Sequence, residues 1–302
     1  MIRSLAKAAG VVAGIGAACF TWGLVEAQLF TVRRFTLPVL PPGGRDLKVL
    51  HVSDFHLLPT QHRKLQFIRS LSELEPDLIV NTGDNIASPE AIHALHVMWG
   101  WLRFKPGVFV FGSNDYYGPR FKNPLSYVRH RRSTMPAGQE PPPLPTDLLK
   151  SRFEDNDWVD LTHRRHIMEV GGYLIEFRGT DDAHLDQDDY TSVAGPPSDD
   201  VDLSIGVTHA PYLRLLDAMT ADGTDLILAG HTHGGQVCVP GYGALTTNCD
   251  LDTGRVKGVS THTADGRTTH LHVSAGVGTS PFAPFRFACR PEVSLLTLTS
   301  TA

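Results

Sequence analysis

Cysteine is scarce in this chain. Cys19, Cys238, Cys249 and Cys289 are the only four in 302 residues, and no two of them have CxxC spacing. That excludes a zinc ribbon and a dense disulfide framework. One pair among the last three is the most the spacing leaves open, and Cys238 and Cys249 read as packed or paired rather than as ligands. An excess of positive charge is also lacking. Lys and Arg number 27 against 32 Asp and Glu, a formal net charge of −5, so no nucleic-acid partner held by bulk charge is expected. No repeat of fixed period occurs. Long uncharged apolar runs are missing except for one, the 18 residues Ala8–Val25. The remainder has an ordinary globular composition, with length for one large domain or two modest ones.

The one long run sits at the N-terminus and is near the lower limit for a membrane-spanning helix. Its Gly and Ala content makes it only moderately apolar. Three readings stay open: a single-pass signal anchor through residues 8–25, a cleaved signal peptide ending near Val25-Glu26-Ala27, and a packed helix. The chain is accordingly expected to be membrane-associated or exported. The side of the membrane is not fixed, because Arg3 and Lys7 precede the run and Arg33 and Arg34 follow it. "LPVLPPGGRD" (37–46) reads as a linker. The division expected is therefore 1–45 for the hydrophobic segment and linker, and 46–302 for the globular domain.

Histidine is what the chain has in plenty, with 15 copies. Several follow a repeated theme of apolar run, polar turn and helix. "LKVLHVSD" (47–54), "PDLIVNTGD" (76–84) and "GVFVFGSND" (107–115) are strand-like and end in polar residues. "KLQFIRSLSEL" (64–74) and "EAIHALHVMWGWL" (90–102) between them have helical spacing. "VDLSIGVTHAP" (201–211) and "TDLILAGHTHGG" (224–235) repeat the theme around a short helix, "RLLDAMTADG" (214–223). "HIMEVGGYLIEFRGTDD" (166–182) reads as a hairpin, and "TTHLHVSAGVG" and "EVSLLTLTS" as closing strands. The alternation predicts an α/β domain with its chemistry at the C-terminal ends of strands. Residues 117–150 interrupt it with a basic run from Lys122 to Arg132 and four prolines within 141–145. This reads as a surface insertion, or as a basic flap beside an acidic substrate or lipid headgroup.

Five strand ends collect Asp54 and His56; Asp84; Asn114 and Asp115; His209; and His231 with His233. Imidazole and carboxylate together suit Zn, Mn or Fe without thiolate. One-residue gaps let Asp54 and His56, and likewise His231 and His233, face the same way, with Phe55 directed into the core. Taken singly, Asp84 could be a turn residue and His209 a packed one. Taken together they are too many for one tetrahedral ion and fit two divalent ions with a shared carboxylate, the arrangement that serves phosphoryl displacement.

"SDFH", "TGD", "GSND", "THAP" and "GHTHGG" occur in the order of the motifs of calcineurin-like metallophosphoesterases. The chain resembles that family from residue 48 to about 300, especially its membrane-associated branch with "GHTHGGQ". The resemblance implies an α/β fold, a four-layer α-β-β-α sandwich, here preceded by an N-terminal hydrophobic helix. It implies a dinuclear site in which Asp54, His56 and His233 hold one ion, Asp84 bridges, and Asn114, His209 and His231 hold the other. The family motif Gly-Asn-His-Asp is Gly112-Ser113-Asn114-Asp115 here. An ungapped match makes Ser113 the ligand. A one-residue slip, preferred here, keeps Asn114 as ligand and puts Asp115 in the place of the usual acid histidine, hence as the catalytic residue. Arg286 reads equally as a phosphate contact and as a surface arginine.

The function expected is metal-dependent hydrolysis of a phosphodiester or pyrophosphate, on a lipid or cell-envelope substrate or on a soluble one. The alternative is a metal-bearing, weakly active, membrane-associated binding protein.

Overall fold

The computed structural model describes residues 2–121 and 141–301. The basic run Lys122–Arg132, read on sequence as part of a surface insertion or flap, lies outside them. The apolar runs form the sheets as the alternation predicts. Leu47–Val52 (β2), Leu78–Asn81 (β3) and Gly107–Phe109 (β4) pair in parallel. Helices His62–Ser70 (α2) and Ala91–Met98 (α3) connect them, each continuing into a short 3-10 turn. Leu203–Thr208 (β8) and Leu226–Ala229 (β9) pair in parallel too, joined by Leu213–Ala221 (α6). Arg164–Val170 (β6) and Tyr173–Gly179 (β7) make the hairpin expected at Gly171-Gly172.

Among the described residues there are two six-stranded sheets. The first runs β1 (Thr31–Leu40), β14 (Glu292–Ser300), β2, β3, β4, β5 (Val159–Asp160). The second runs β12 (Gly258–Ala264), β13 (Arg267–Val273), β9, β8, β7, β6. Strands covered on both faces read as unbroken apolar runs, which is why the sequence showed little polar alternation. Val49, Val80, Val108, Val207 and Leu228 fill the space between the sheets. Leu50, Val52, Ile79 and Phe109 point the other way, onto α2, α3 and Thr146–Glu154 (α5). On the far side α6 packs Leu215, Leu216 and Met219 against Ile227 and Leu271. The result is the four-layer α-β-β-α sandwich.

The N-terminal part differs from expectation in two respects. Residues 31–40, assigned on sequence to the first segment and its linker, form β1, which runs parallel to β14 from Thr31↔Glu292 onward. Leu37 and Leu40 are buried there, so the linker shrinks to the turn at Pro41-Pro42 and Gly43-Gly44. The hydrophobic run lies in the helix Ile2–Glu26 (α1). Among the described residues no helix is long and apolar enough to cross a membrane, so the expected spanning anchor gains no support. Gly10, Gly14, Gly16, Ala17 and Ala18 offer little apolar surface per turn.

Candidate metal centre

The turns that follow β2, β3, β4, β8 and β9 meet at one edge of the sandwich. Main-chain bonds weave them together: Asp54 N donates to Gly83 O (2.8 Å), His56 N to Asp84 O (2.9 Å) and Gly230 N to His209 O (2.8 Å). Phe55 between the first pair is fully buried in the helix-side core. Asp54, His56, Asp84, His231 and His233 all have positive φ, between 41° and 68°. That region is disfavoured for side chains with Cβ and is entered mostly by Asn, Asp and His. Gly83 (φ 92°) lies against the next turn, where a Cβ would come within 2.5 Å of Gly112 N.

Asp54, His56, Asp84 and His233 each present a ligand atom within 4.8 Å of the other three. Nε2 of His56 lies 3.1 Å from Nε2 of His233 and 3.4 Å from Asp84 Oδ2. Nε2 of His233 is 3.6 Å from Asp54 Oδ1. That Asp54 oxygen is buried without a partner, while Oδ2 accepts from Ser53 Oγ (2.5 Å) and His231 N (3.1 Å). The other oxygen of Asp84, Oδ1, is 3.5 Å from His209 Nε2, a second buried atom without a partner. His209 Nδ1 donates to Thr82 O (2.7 Å), which leaves Nε2 as the ring atom turned to Asp84. Converging lone pairs, left unsatisfied among protein atoms, are what a cation would complete. The residues fit a divalent ion.

Asn114 joins this edge through Asp84, its N–H donating to Oδ1 (2.8 Å) and its amide to Oδ2 (2.7 Å). Ser113 Oγ is 3.4 Å from the same amide nitrogen. His231 packs against His209 at 5.2 Å between ring centroids, with its Nε2 3.2 Å from Asn248 O. His209, with His231 packed on it, thus lines the Asp84 Oδ1 side, while the Asn114 side chain meets Asp84 at Oδ2; all three lie outside the four-residue cluster.

Burial dominates the protonation of these groups. It raises the Asp54 carboxyl to about 6, opposed mainly by His209. It lowers His56 to about 4 and holds His231 and His233 well below their ordinary value. For Asp84, burial works upward, but His209, His56 and the Asn114 donors outweigh it and the carboxylate stays ionised. His209 goes the other way: burial opposes its charge, yet Asp84, Asp182 and Asp54 raise it to about 9.

Two residues singled out on sequence, Asp115 and Arg286, are buried. Asp115 is fully buried, and its carboxylate accepts from the main-chain N–H groups of Asp84 (2.8 Å), Asn85 (2.7 Å) and Gly112 (3.1 Å) and from the Asn85 amide (3.2 Å). These donors clamp the Gly83-Asp84-Asn85 turn, while burial and the neighbouring Asp84 carboxylate raise the Asp115 carboxyl to about 7. Arg286 is neither a surface residue nor open to phosphate. It is fully buried behind His233, its guanidinium directed at main-chain carbonyls. All four cysteines are free thiols, with Cys238 and Cys289 side by side.

Sequence reasoning also passed over Asp182 and His184, in the turn after β7. His184 lies 4.4 Å from His231 between ring centroids, and the Asp182 carboxyl is raised to about 7 by burial. "GTDDAH" contains the same one-residue spacing as Asp54 and His56, which is the signal that could have found it.

The profile described as "Calcineurin-like phosphoesterase" matches residues 47–235. "Uncharacterized metallophosphoesterase YkuE" of Bacillus subtilis is 28% identical over 284 residues, 92% of this chain and 87% of that protein. "Transmembrane protein with metallophosphoesterase domain" of Bos taurus is 27% identical over 281 residues, 91% of this chain but only 58% of the bovine one. "Phosphodiesterase YaeI" of Escherichia coli is 25% identical over 278 residues, 90% of each chain.

Proposed function

The chain belongs to the calcineurin-like phosphoesterase family of metal-dependent phosphoester hydrolases, and from that premise we propose that it cleaves a phosphodiester or pyrophosphate with two divalent ions. Asp54, His56 and His233 would hold one, Asn114, His209 and His231 the other, and Asp84 would be shared. The observation that carries this is the double facing of Asp84, one oxygen toward His56 and the other toward His209. Bound divalent ions lower the pKa of water and neutralise phosphoryl oxygens as charge shifts. The protein's own part is to hold the set rigid. Thr82 O orients His209, Ser53 and His231 N fix Asp54, and the Asn114 donors keep Asp84 ionised. A lipid-borne phosphoester is the substrate class this reading favours. In support, α1 exposes Val11, Val12, Ile15 and Phe20, and loops near the centre expose Tyr242, Leu245 and Phe282, an apolar surface suited to facing a bilayer.

The test is turnover of bis-p-nitrophenyl phosphate by the full chain with Mn added. Asp84→Asn should lower it by at least about 100-fold, the scale for losing a group that organises transition-state charge. Two ions bound with no turnover of any soluble or lipid phosphoester would instead favour the weakly active binding protein.

A further inference from the structure

Arg286 is a buried cation whose hydrogen-bond acceptors are carbonyls rather than carboxylates. The two N–H groups of Nη2 are shared among Ala275 O (2.7 Å), Gly276 O (3.0 Å) and Gly278 O (2.7 Å), and Nη1 donates to His233 O (3.2 Å). Nη2 also lies 3.3 Å from His233 Nδ1. The three carbonyls belong to one loop, and that loop is the back wall of Asp54. Val277 N donates to Ser53 O (3.2 Å) and Gly278 N to Asp54 O (2.5 Å). Gly276 has φ 67°, and a Cβ there would come within 2.5 Å of Asp54 Cβ. One guanidinium therefore spans the backbone behind Asp54 and both the backbone and the ring of His233.

The residues around Arg286 are held in turn. Its N–H donates to Gly23 O (3.0 Å), and the Glu26 carboxylate accepts from Ala288 N (3.0 Å) and Cys289 N (2.7 Å). The last turn of α1 thus anchors the loop that carries the arginine.

We propose that Arg286 is a positioning residue for the Asp54–His56–His233 half of the centre, setting the separation of Asp54 from His233 through the 275–278 loop. The inference rests on the reading that these residues hold an ion. A positive charge near a divalent cation opposes its binding, so what Arg286 contributes must be geometric. A planar fork can reach carbonyls on two segments at once, whereas a lysine ammonium on a flexible stem keeps the charge and loses the span.

This separates the two effects by calorimetric titration of Mn into the full-length metal-free chain. Arg286→Lys should weaken one of two ions by about 10- to 100-fold, the usual cost of losing an outer partner of a ligand, and spare the other. Arg286→Met, which also removes the opposing charge, should still weaken the same ion. Unchanged binding in Arg286→Lys with tighter binding in Arg286→Met would mean that only charge matters and would overturn the proposal, as would equal weakening of both ions. No Mn binding by the unsubstituted chain would instead sink the reading of the cluster as a metal centre. Should the variants not fold, NMR of the 15N,13C-arginine-labelled unsubstituted protein decides. A guanidinium of Arg286 held from rotating, with separate Nη signals, is expected, and a freely rotating one overturns the proposal.

Discussion

Left-handed backbone at Asp54, His56, Asp84, His231 and His233 explains why these strand ends carry Asp and His rather than larger side chains. The identities and spacing of those residues were legible in the sequence. Their dihedrals were not, because nothing in "SDFH" or "GHTHGG" fixes φ. The surroundings of Asp115 were hidden for the same reason. Its place beside Asn114 suggested chemistry, but only the folded turn shows that N–H groups of Asp84, Asn85 and Gly112 use up its oxygens. Asp115→Asn turns one acceptor into a donor facing those N–H groups. We expect a loss of about 1–3 kcal/mol in stability, the scale for leaving a buried hydrogen-bonding group unsatisfied. The clamp and the acid differ in one kinetic readout. A clamp lowers turnover of p-nitrophenyl and alkyl phosphodiesters by the same factor. A markedly greater loss on the alkyl ester, whose leaving group needs a proton, would restore the acid role.

At the scale of elements, the strands and helices between residues 47 and 115 follow from apolar period and turn residues alone. The N-terminal boundary did not, for a physical reason. β1 is held by β14, whose partner residues lie some 260 positions away, and no local pattern reports a pairing at that separation. "LPVL" consequently looked like linker because its proline outweighed its apolar residues, although Pro38 lies near the end of an edge strand, where a missing N–H is tolerated. The expected consequence concerns truncation. A chain starting at residue 46 loses β1, bares the edge of β14 and removes the Glu26 contacts to Ala288 and Cys289. It should aggregate or melt well below the full chain, since bared edges invite pairing with other chains. A chain starting at residue 20 keeps β1 and Glu26 and should melt within a few degrees of full length. Size-exclusion chromatography and thermal melts of both decide, and a monodisperse chain from residue 46 with unchanged Tm would refute the boundary drawn here.

For the whole molecule, the sandwich brings two sequence-distant sheets face to face, and a pair of histidines meets across that interior. His51 on β2 and His272 on β13 meet Nδ1 to Nδ1 at 2.8 Å, and His51 Nε2 reaches Thr82 Oγ1 at 3.0 Å. His51 was legible as a packed strand residue, but its partner was not, since sheet-to-sheet facing leaves no trace in local periodicity. His272 Nε2 has no partner, so the least costly arrangement puts the His272 proton on Nδ1, donating to His51, which donates onward to Thr82. Burial lowers His272 to about 3, and burial with the neighbouring His272 holds His51 well below its ordinary value. Unfolded, both rings titrate near the model-peptide value of about 6.5. Between those limits the unfolded chain binds more protons than the folded one, so stability rises with pH in that window. It is fully present above about 6.5 and is lost as pH falls toward 3, by up to about 1.4 kcal/mol per pH unit for each ring. His272→Gln retains a hydrogen-bonding group and removes one titrating ring. Urea unfolding of the metal-free proteins between pH 6.5 and 4.5 should therefore show a shallower pH slope for His272→Gln than for the unsubstituted chain. Equal slopes would mean that this contact between the sheets does not set the acid sensitivity of the fold.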